Sequence, residues 1–141
     1  MDDRRLSDSG FELVMKFTST DPPRVFEVGF GPKIQMKDCA HIALEADEQV
    51  TFTTESGAEY DVARKSWGFY ATPSLNGRLQ RFGLRGVLVK NRINQYFVML
   101  VEQGYEALFD RYVADEGLAV VCWLDNNRDL ELFEKLFEKH K

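Results

Sequence analysis

The chain has 141 residues, of which 44% are hydrophobic and 29% are charged, and its net charge is −5. These values lie close to the averages for globular domains, and they exclude fibrous, disordered and disulfide-rich classes. One hydrophobic core suffices for a chain of this size, so we predict a single domain over residues 11–141 behind a mobile tail at residues 1–10.

The expected location follows from three features. The first ten residues are polar and charged, without the apolar region of a secretory signal peptide. The longest apolar stretches fall far short of the roughly 20 residues that span a bilayer. Cys39 and Cys122 are the only cysteines, too few for a disulfide or zinc framework. We therefore expect a cytoplasmic protein with free thiols.

The first half of the chain shows the period-two alternation of β-strands. A strand is predicted from Phe11 to Phe17, and Asp21-Pro22-Pro23 is expected to end it. Further alternating segments lie at residues 26–30, 34–44, 50–54 and 60–63, the last two around a short hairpin loop. We expect an antiparallel sheet, roll or partial barrel in this part.

The second half combines strands with helices. Leu84–Lys90 and Gln95–Val101 form a predicted hairpin, and the second strand is apolar on both faces, so we place it centrally in its sheet. Residues 105–113 have helical spacing and Gly117 has the position of a C-cap. A subdomain boundary near residues 74–83 is an alternative to one undivided domain, since that stretch has no clear periodicity.

The last segment is predicted to be a strand and a helix. Leu118–Leu124 has the composition of a buried strand. Asp125 or Asn127 is expected to cap a helix that turns four apolar side chains inward, namely Leu130, Phe133, Leu136 and Phe137. The predicted fold class is thus α+β, with an antiparallel strand-rich N-terminal part followed by a hairpin-helix-strand-helix C-terminal part.

Charge is distributed unevenly along the chain. Residues 62–101 contain no Asp or Glu and carry +7, whereas the remainder carries −12. Five of the seven basic residues are arginines, whose planar guanidinium binds carboxylate and phosphate in a bidentate manner. The acid-free segment therefore favours a specific anionic ligand. Pairing of its charges with acidic parts of the chain, or with a second copy, is the alternative.

Part of the acid-free segment has the composition of a ligand-binding loop. Residues 67–78 combine aromatic rings, hydroxyls, an amide and an arginine, which can hold a sugar or base, hydrogen-bond its edges and bind an anion. Core packing and a simple turn explain the same residues without a ligand. The predicted ligand-binding residues, with Arg78 as the first choice, are Trp67, Tyr70, Ser74, Asn76, Arg78, Arg81 and Arg85.

Catalytic and metal-binding signatures are weak. Asp38, Cys39 and His41 are neighbours, but on a strand Asp38 would face away from the other two, and we interpret Cys39 as a buried, unreactive residue. The chain has no phosphate-binding loop, dinucleotide-binding or nucleophile-elbow motif, and no calcium-loop spacing. We predict no metal and no cofactor, and the catalytic residues remain unknown.

Three strings carry a resemblance: WGFYATPSLNGRL at 67–79, VLVKN at 87–91 and VVCWL at 120–124. Over about residues 34–125 the chain resembles short uncharacterised bacterial proteins associated with cell-surface sugar biosynthesis. This resemblance implies a sugar nucleotide or a sugar phosphate as the anion. It carries over no catalytic residues.

Three functions are consistent with these patterns. The leading hypothesis is a small binding or accessory domain for a phosphorylated sugar or nucleotide. The second is a small sugar-nucleotide isomerase or epimerase in which Asp61, His41 or Tyr70 moves a proton. The third is a single-stranded RNA-binding module in which aromatic rings stack on bases. A homo-oligomer is compatible with each, and no membrane partner is expected.

Overall fold

The computed structural model describes residues 15–138, which form an α+β fold. The predicted tail at residues 1–10 and the start of the predicted first strand lie outside this range. Within it, a strand-rich N-terminal part precedes the two longer helices, which confirms the predicted fold class. The elements are β1 (Lys16–Val28), β2 (Ile34–Ala43), β3 (Gln49–Thr53), β4 (Glu59–Lys65), β5 (Gly68–Tyr70), α1 (Arg78–Arg81), β6 (Leu84–Lys90), β7 (Tyr96–Glu102), α2 (Glu106–Glu116), β8 (Ala119–Trp123) and α3 (Asn127–Glu138).

The chain divides into two compact units. Among the described residues, the first comprises residues 15–29, Lys33–Val50 and Val62–Ala71, and the second comprises Phe30–Pro32, Thr51–Asp61 and residues 72–138. Strands β3 and β4 contribute residues to both units. The predicted single domain, with its alternative boundary near residues 74–83, stays a prediction.

The first unit is built on a long antiparallel ribbon of β1 and β2. Lys16–Ser19 pair with Ala43–Ala40, and Arg24–Val28 pair with Asp38–Ile34. The register shifts between Ser19 and Arg24, and Pro22 and Pro23 lie in that irregular stretch. The prediction that the two prolines end the strand is therefore wrong, because a bulge accommodates residues that lack a backbone N–H.

Strands β3, β4 and β5 form a second sheet in that order. The predicted β3–β4 hairpin is confirmed, whereas β5 and α1 lie in a region where no regular element was predicted. Strand β5 returns along Ala63–Lys65 after a two-residue turn, and Gly68 has a φ of 146°, a value that glycine adopts readily. Two short elements of three and four residues give too few positions for a periodic pattern to be recognised.

The third sheet has the order β7-β6-β8, so β6 is the central strand. The predicted central position of β7 is wrong, because β8 returns after α2 and pairs with the free side of β6. Tyr96, Phe97 and Val98 of β7 are accordingly exposed. The predicted burial of β8 is also wrong at Val120 and Val121, which are exposed on the other edge strand.

Buried hydrophobic side chains of the second unit form two clusters. Val87, Val89 and Val101 of the third sheet pack against Phe109 of α2. The second cluster joins Leu84 to Leu79 of α1 and to Ala58. Both clusters include residues of the central strand β6. This strand therefore connects the packing of α2 with that of α1.

The two longer helices occur where the spacing predicts them. Helix α2 ends at Gly117, which adopts a left-handed conformation with a φ of 67°, as predicted for a C-cap. Helix α3 is capped by Asn126, whose Oδ1 accepts the Asp129 N–H at 3.1 Å, rather than by Asp125 or Asn127. The predicted inward orientation of Leu136 and Phe137 is wrong, since both are exposed on a helix without a fully buried residue.

Candidate functional site

The predicted ligand-binding residues belong to different units. Trp67 and Tyr70 lie in the first unit, whereas Ser74, Asn76, Arg78, Arg81 and Arg85 lie in the second.

In the first unit, the β4–β5 hairpin presents aromatic rings beside a cation. Trp67 lies in the turn and Tyr70 at the end of β5, and both are exposed. The Arg64 guanidinium lies 5.7 Å from the centre of the Phe69 ring, and its NH1 donates a 3.4 Å hydrogen bond to the Gly68 carbonyl. This is a cation-π contact on an exposed surface rather than an enclosed pocket.

In the second unit, Ser74 and Asn76 serve local structure. The Ser74 Oγ accepts the Arg78 N–H at 2.7 Å, and its carbonyl accepts the N–H groups of Gly77 and Leu79, so Ser74 organises the turn that begins α1. The Asn76 amide donates a 2.7 Å hydrogen bond to the side-chain oxygen of Asn127. Both predicted polar contacts for a ligand are thus engaged within the unit.

Arg78 is also engaged. Its NH2 donates a 2.8 Å hydrogen bond to Asp61 Oδ2, and its guanidinium lies 5.1 Å from the centre of the Phe82 ring. Asp61 accepts a second hydrogen bond, at 2.8 Å, from the Thr51 hydroxyl. An anionic ligand at Arg78 would compete with a carboxylate that is already bound there.

Arg85 lies in a closely connected polar cluster of the second unit. Its Nε and NH2 donate to the two oxygens of Asp125 at 2.7 and 3.3 Å, and its NH1 donates to Glu106 at 3.4 Å. The guanidinium also stacks 4.0 Å from the centre of the Trp123 ring. The guanidinium is fully engaged within the protein, because its N–H groups bind carboxylates and its plane packs on an aromatic ring.

The titration of this cluster matches its geometry. The hydrogen bond from Arg85 is the main cause that lowers the pKa of Asp125, and the same bond raises the pKa of Arg85. Backbone hydrogen bonds from its own N–H and from Gly104 are the main causes that lower the pKa of Glu106, with Arg85 adding to the effect. We conclude that Arg85 is a structural cation that holds two ionised carboxylates.

Arg81 has a different environment. It lines a cleft of about 320 Å³ in the second unit, together with Ser56, Phe82, Glu102, Gln103 and Tyr105. Neither Arg78 nor Arg85 lines this cleft. Among residues 15–138, no carboxylate lies within ion-pair distance of Arg81, which is exposed. Within that range, Arg81 is thus the predicted arginine whose donors a ligand can reach without displacing an acid.

The other groups in the cleft are polar and well positioned. Glu102 Oε2 accepts hydrogen bonds from the hydroxyls of Ser56 and Thr54. The side-chain amide of Gln103 is held in place, because its N–H donates a 2.9 Å hydrogen bond to the Gln80 carbonyl. The backbone N–H of Gln103 donates a 2.8 Å hydrogen bond to the Gly83 carbonyl. A carboxylate, an amide and two aromatic rings near one arginine suit a small ligand with hydroxyl groups and one anionic group.

Sequence reasoning missed Ser56, Glu102, Gln103 and Tyr105. They come from the β3–β4 loop, from the last residue of β7 and from the turn between β7 and α2, which are brought together only by the fold. One signal was available, because Asp61 and Glu102 are the acids that bound the acid-free segment. One of them pairs with Arg78 and the other lies in the cleft with Arg81.

The residues considered for catalysis lie in different parts of the fold. Cys39 is exposed, so its predicted burial is wrong. His41 Nε2 lies 3.4 Å from Asp38 Oδ2, although strand alternation predicts opposite faces, because the ribbon is distorted by its register shift. His41 and Tyr70 belong to the first unit, whereas Asp61 belongs to the second. The enzymatic hypothesis stays a prediction.

Residues 15–138 contain no group of three or more His, Cys, Asp or Glu side chains arranged to hold a metal ion. Within the same range, no helix has both the length and the apolar character needed to cross a membrane.

Comparisons with protein-family models, with curated proteins and with solved structures find no match to this chain.

Proposed function

We propose that the protein is a small binding domain for a phosphorylated sugar or a sugar nucleotide, which it holds in the Arg81 cleft of the second unit. The observation that carries this proposal is the position of Arg81, a cation without a carboxylate partner among residues 15–138, in a cleft lined by hydrogen-bonding side chains. Such a cation binds phosphate through charge-assisted hydrogen bonds.

The other groups in the cleft suit the sugar part of such a ligand. Glu102 and Gln103 provide oxygen acceptors for hydroxyl groups, and Tyr105 and Phe82 provide apolar surface for a sugar ring. Because one arginine rather than several lines the cleft, a ligand with one anionic group near the sugar fits better than a polyanion.

A thermal-shift series tests this proposal. Sugar phosphates, sugar nucleotides and the matching uncharged sugars are each titrated into the full chain. A ligand at 100 times its Kd should raise the free energy of unfolding by about 2.7 kcal/mol, which shifts the melting temperature by several degrees. Inorganic phosphate alone should give a smaller shift, because it lacks the sugar contacts.

Two matched variants locate the site. Arg81→Ala should weaken binding by about 1.5 to 3 kcal/mol, the range for a hydrogen bond to a charged group. Arg78→Ala removes a neighbouring arginine that is bound to Asp61 and should leave the affinity nearly unchanged. Absence of any shift with all these ligands, or an equal loss of affinity in both variants, would contradict the proposal.

A second candidate function is supported by the β4–β5 hairpin of the first unit. Exposed Trp67 and Phe69 lie near Arg64, an arrangement on which unpaired bases can stack while the cation meets a phosphate. Binding of a short single-stranded RNA should then fall steeply with salt and be lost in Trp67→Ala. Arg81→Ala should not affect it, which separates this candidate from the first.

A further inference from the structure

The first unit lacks a hydrophobic core among its described residues. The buried side chains of residues 15–138 all belong to the second unit. The first unit is built on a two-stranded ribbon, and an isolated pair of strands is marginally stable in water. Its apolar side chains therefore gain stability when another surface covers them.

One face of the ribbon is apolar. Cross-strand partners Phe26 and Met36 lie side by side, as do Val28 and Ile34, and alternation places all four on the same face. Each residue is between 36% and 44% exposed. Exposed apolar residues that occur as two adjacent cross-strand pairs form a contiguous patch, which is a mark of an interaction site.

A pair of opposite charges lies next to the apolar patch on this face. Arg24 pairs in register with Asp38, and their charged atoms are 3.4 Å apart. The Arg24 guanidinium also lies 5.2 Å from the centre of the Phe26 ring, which confirms that it occupies the same face. We call this surface, formed by Arg24, Phe26, Val28, Ile34, Met36 and Asp38, the ribbon face.

We propose that the ribbon face binds the ribbon face of a second copy of this chain, around a two-fold axis. A two-fold interface requires a self-complementary patch. The ribbon face meets this requirement, because one cation and one anion lie side by side and rotation sets Arg24 against Asp38 of the partner subunit. The apolar pairs of the two copies then cover one another.

The charges of the ribbon face disfavour other classes of partner. The charges of Arg24 and Asp38 cancel, and Asp38 also contacts the His41 imidazole at 3.4 Å, so this surface offers a nucleic acid little long-range attraction. Four partly exposed apolar side chains per copy cover less than the roughly 800 Å² per partner of a standard interface, so the dimer is weak. We expect a dissociation constant in the micromolar range, on the order of 10 to 200 µM.

Sedimentation equilibrium of the full chain from about 5 to 500 µM tests this proposal. The expected result is a concentration-dependent monomer-dimer equilibrium. Phe26→Glu places a carboxylate in the apolar patch and should weaken association at least 10-fold. Val25→Glu introduces the same charge on the same strand but on the opposite face, and it should leave association within about 2-fold of the unmodified chain.

Charge reversal gives a test that does not depend on the folding of one variant. Arg24→Asp and Asp38→Arg each bring like charges together across the two-fold axis, so each variant should associate at least 10-fold more weakly. A mixture of the two variants restores both opposite-charge contacts and should form a heterodimer. The Arg24 side chain is 70% exposed and that of Asp38 is 26% exposed, so water screens the pair and circular dichroism should show both variants folded.

Three results would overturn the proposal. The first is a chain that stays monomeric at 500 µM. If Phe26→Glu then has a lower melting temperature than the unmodified chain, another part of the same chain covers the ribbon face. The second is a dimer whose dissociation constant is unchanged by Phe26→Glu and by both charge reversals. The third is a mixture of the two reversal variants that associates no better than either variant alone.

Discussion

Replacement of Arg85 by alanine distinguishes a structural arginine from a ligand-binding one. Arg85 was predicted to bind an anion, yet it donates hydrogen bonds to Asp125 and Glu106 and stacks on Trp123. The variant removes these contacts at once. It leaves the Asp125 side chain, which is 7% exposed, without its cation.

The expected cost can be worked out from this geometry. Breaking a buried ion pair by removing one partner costs about 3 to 5 kcal/mol, because the remaining charge is poorly solvated. The Arg85 side chain is 29% exposed, so water can enter the space that it leaves and solvate Asp125 in part. Loss of the contact with Trp123 adds about 0.5 to 1 kcal/mol. We therefore expect a loss of about 3 kcal/mol in the free energy of unfolding.

Urea unfolding measures this loss, with the fluorescence of Trp123 as the probe in a Trp67→Phe background. Arg85→Lys keeps the charge but loses the bidentate geometry and should recover less than half of the loss. In the double variant with Asp125→Asn, no buried charge is left uncompensated, so its cost should be smaller than the sum of the two single costs.

Arg81→Ala is the matched control, because Arg81 lies in the same acid-free segment but has no ion pair among residues 15–138. It should change stability by less than about 0.5 kcal/mol. Arg85 is not a structural cation if Arg85→Ala costs less than about 1 kcal/mol, or if it abolishes ligand binding while stability is unchanged.

Two further predictions concern the same unit. Phe109 is 9% exposed and packs edge-to-face on Trp123 at 5.8 Å, so Phe109→Ala should lower the free energy of unfolding by about 3 to 5 kcal/mol in urea. Leu108 is 58% exposed, so the control Leu108→Ala should cost under about 1 kcal/mol. Equal costs would show that the phase of α2 is wrong. The lowered pKa of Asp125 means that its ionised form stabilises the fold above the ordinary pKa of about 3.9, and that this contribution is lost as the pH falls through the lower folded-state pKa. The stability difference between the unmodified chain and Asp125→Asn should thus be constant above about pH 5 and shrink below it, and a difference independent of pH would contradict this assignment.

Local patterns predicted the long elements of the fold well. The hairpin of β6 and β7, helix α2 and its C-cap at Gly117 occur where periodicity and a terminal glycine indicate them. Each of these signals depends on residues close together in the chain. The prolines of β1 misled the prediction, because a register shift that accommodates them depends on the partner strand β2.

Strand order could not be predicted from the same patterns. Strand β7 is apolar on both faces and was placed centrally, yet β8 pairs with β6 and leaves β7 at the edge. A strand with apolar residues on both faces shows the same sequence pattern at the centre of a sheet and at its edge. Only the long-range pairing of β6 with β8 distinguishes the two cases.

The acid-free segment could be recognised from the amino-acid sequence by itself, as could its excess of arginine over lysine. The tertiary structure decided what each arginine does. Arg78 and Arg85 bind carboxylates that lie 17 and 40 residues away along the chain. Arg81 lies in a cleft that also includes residues of the β3–β4 loop and of the end of β7, both distant from it in the chain. The charges counted along the sequence determine the electrostatic potential at long range. The role of an individual arginine depends instead on which acid the fold brings within about 3 Å of its guanidinium.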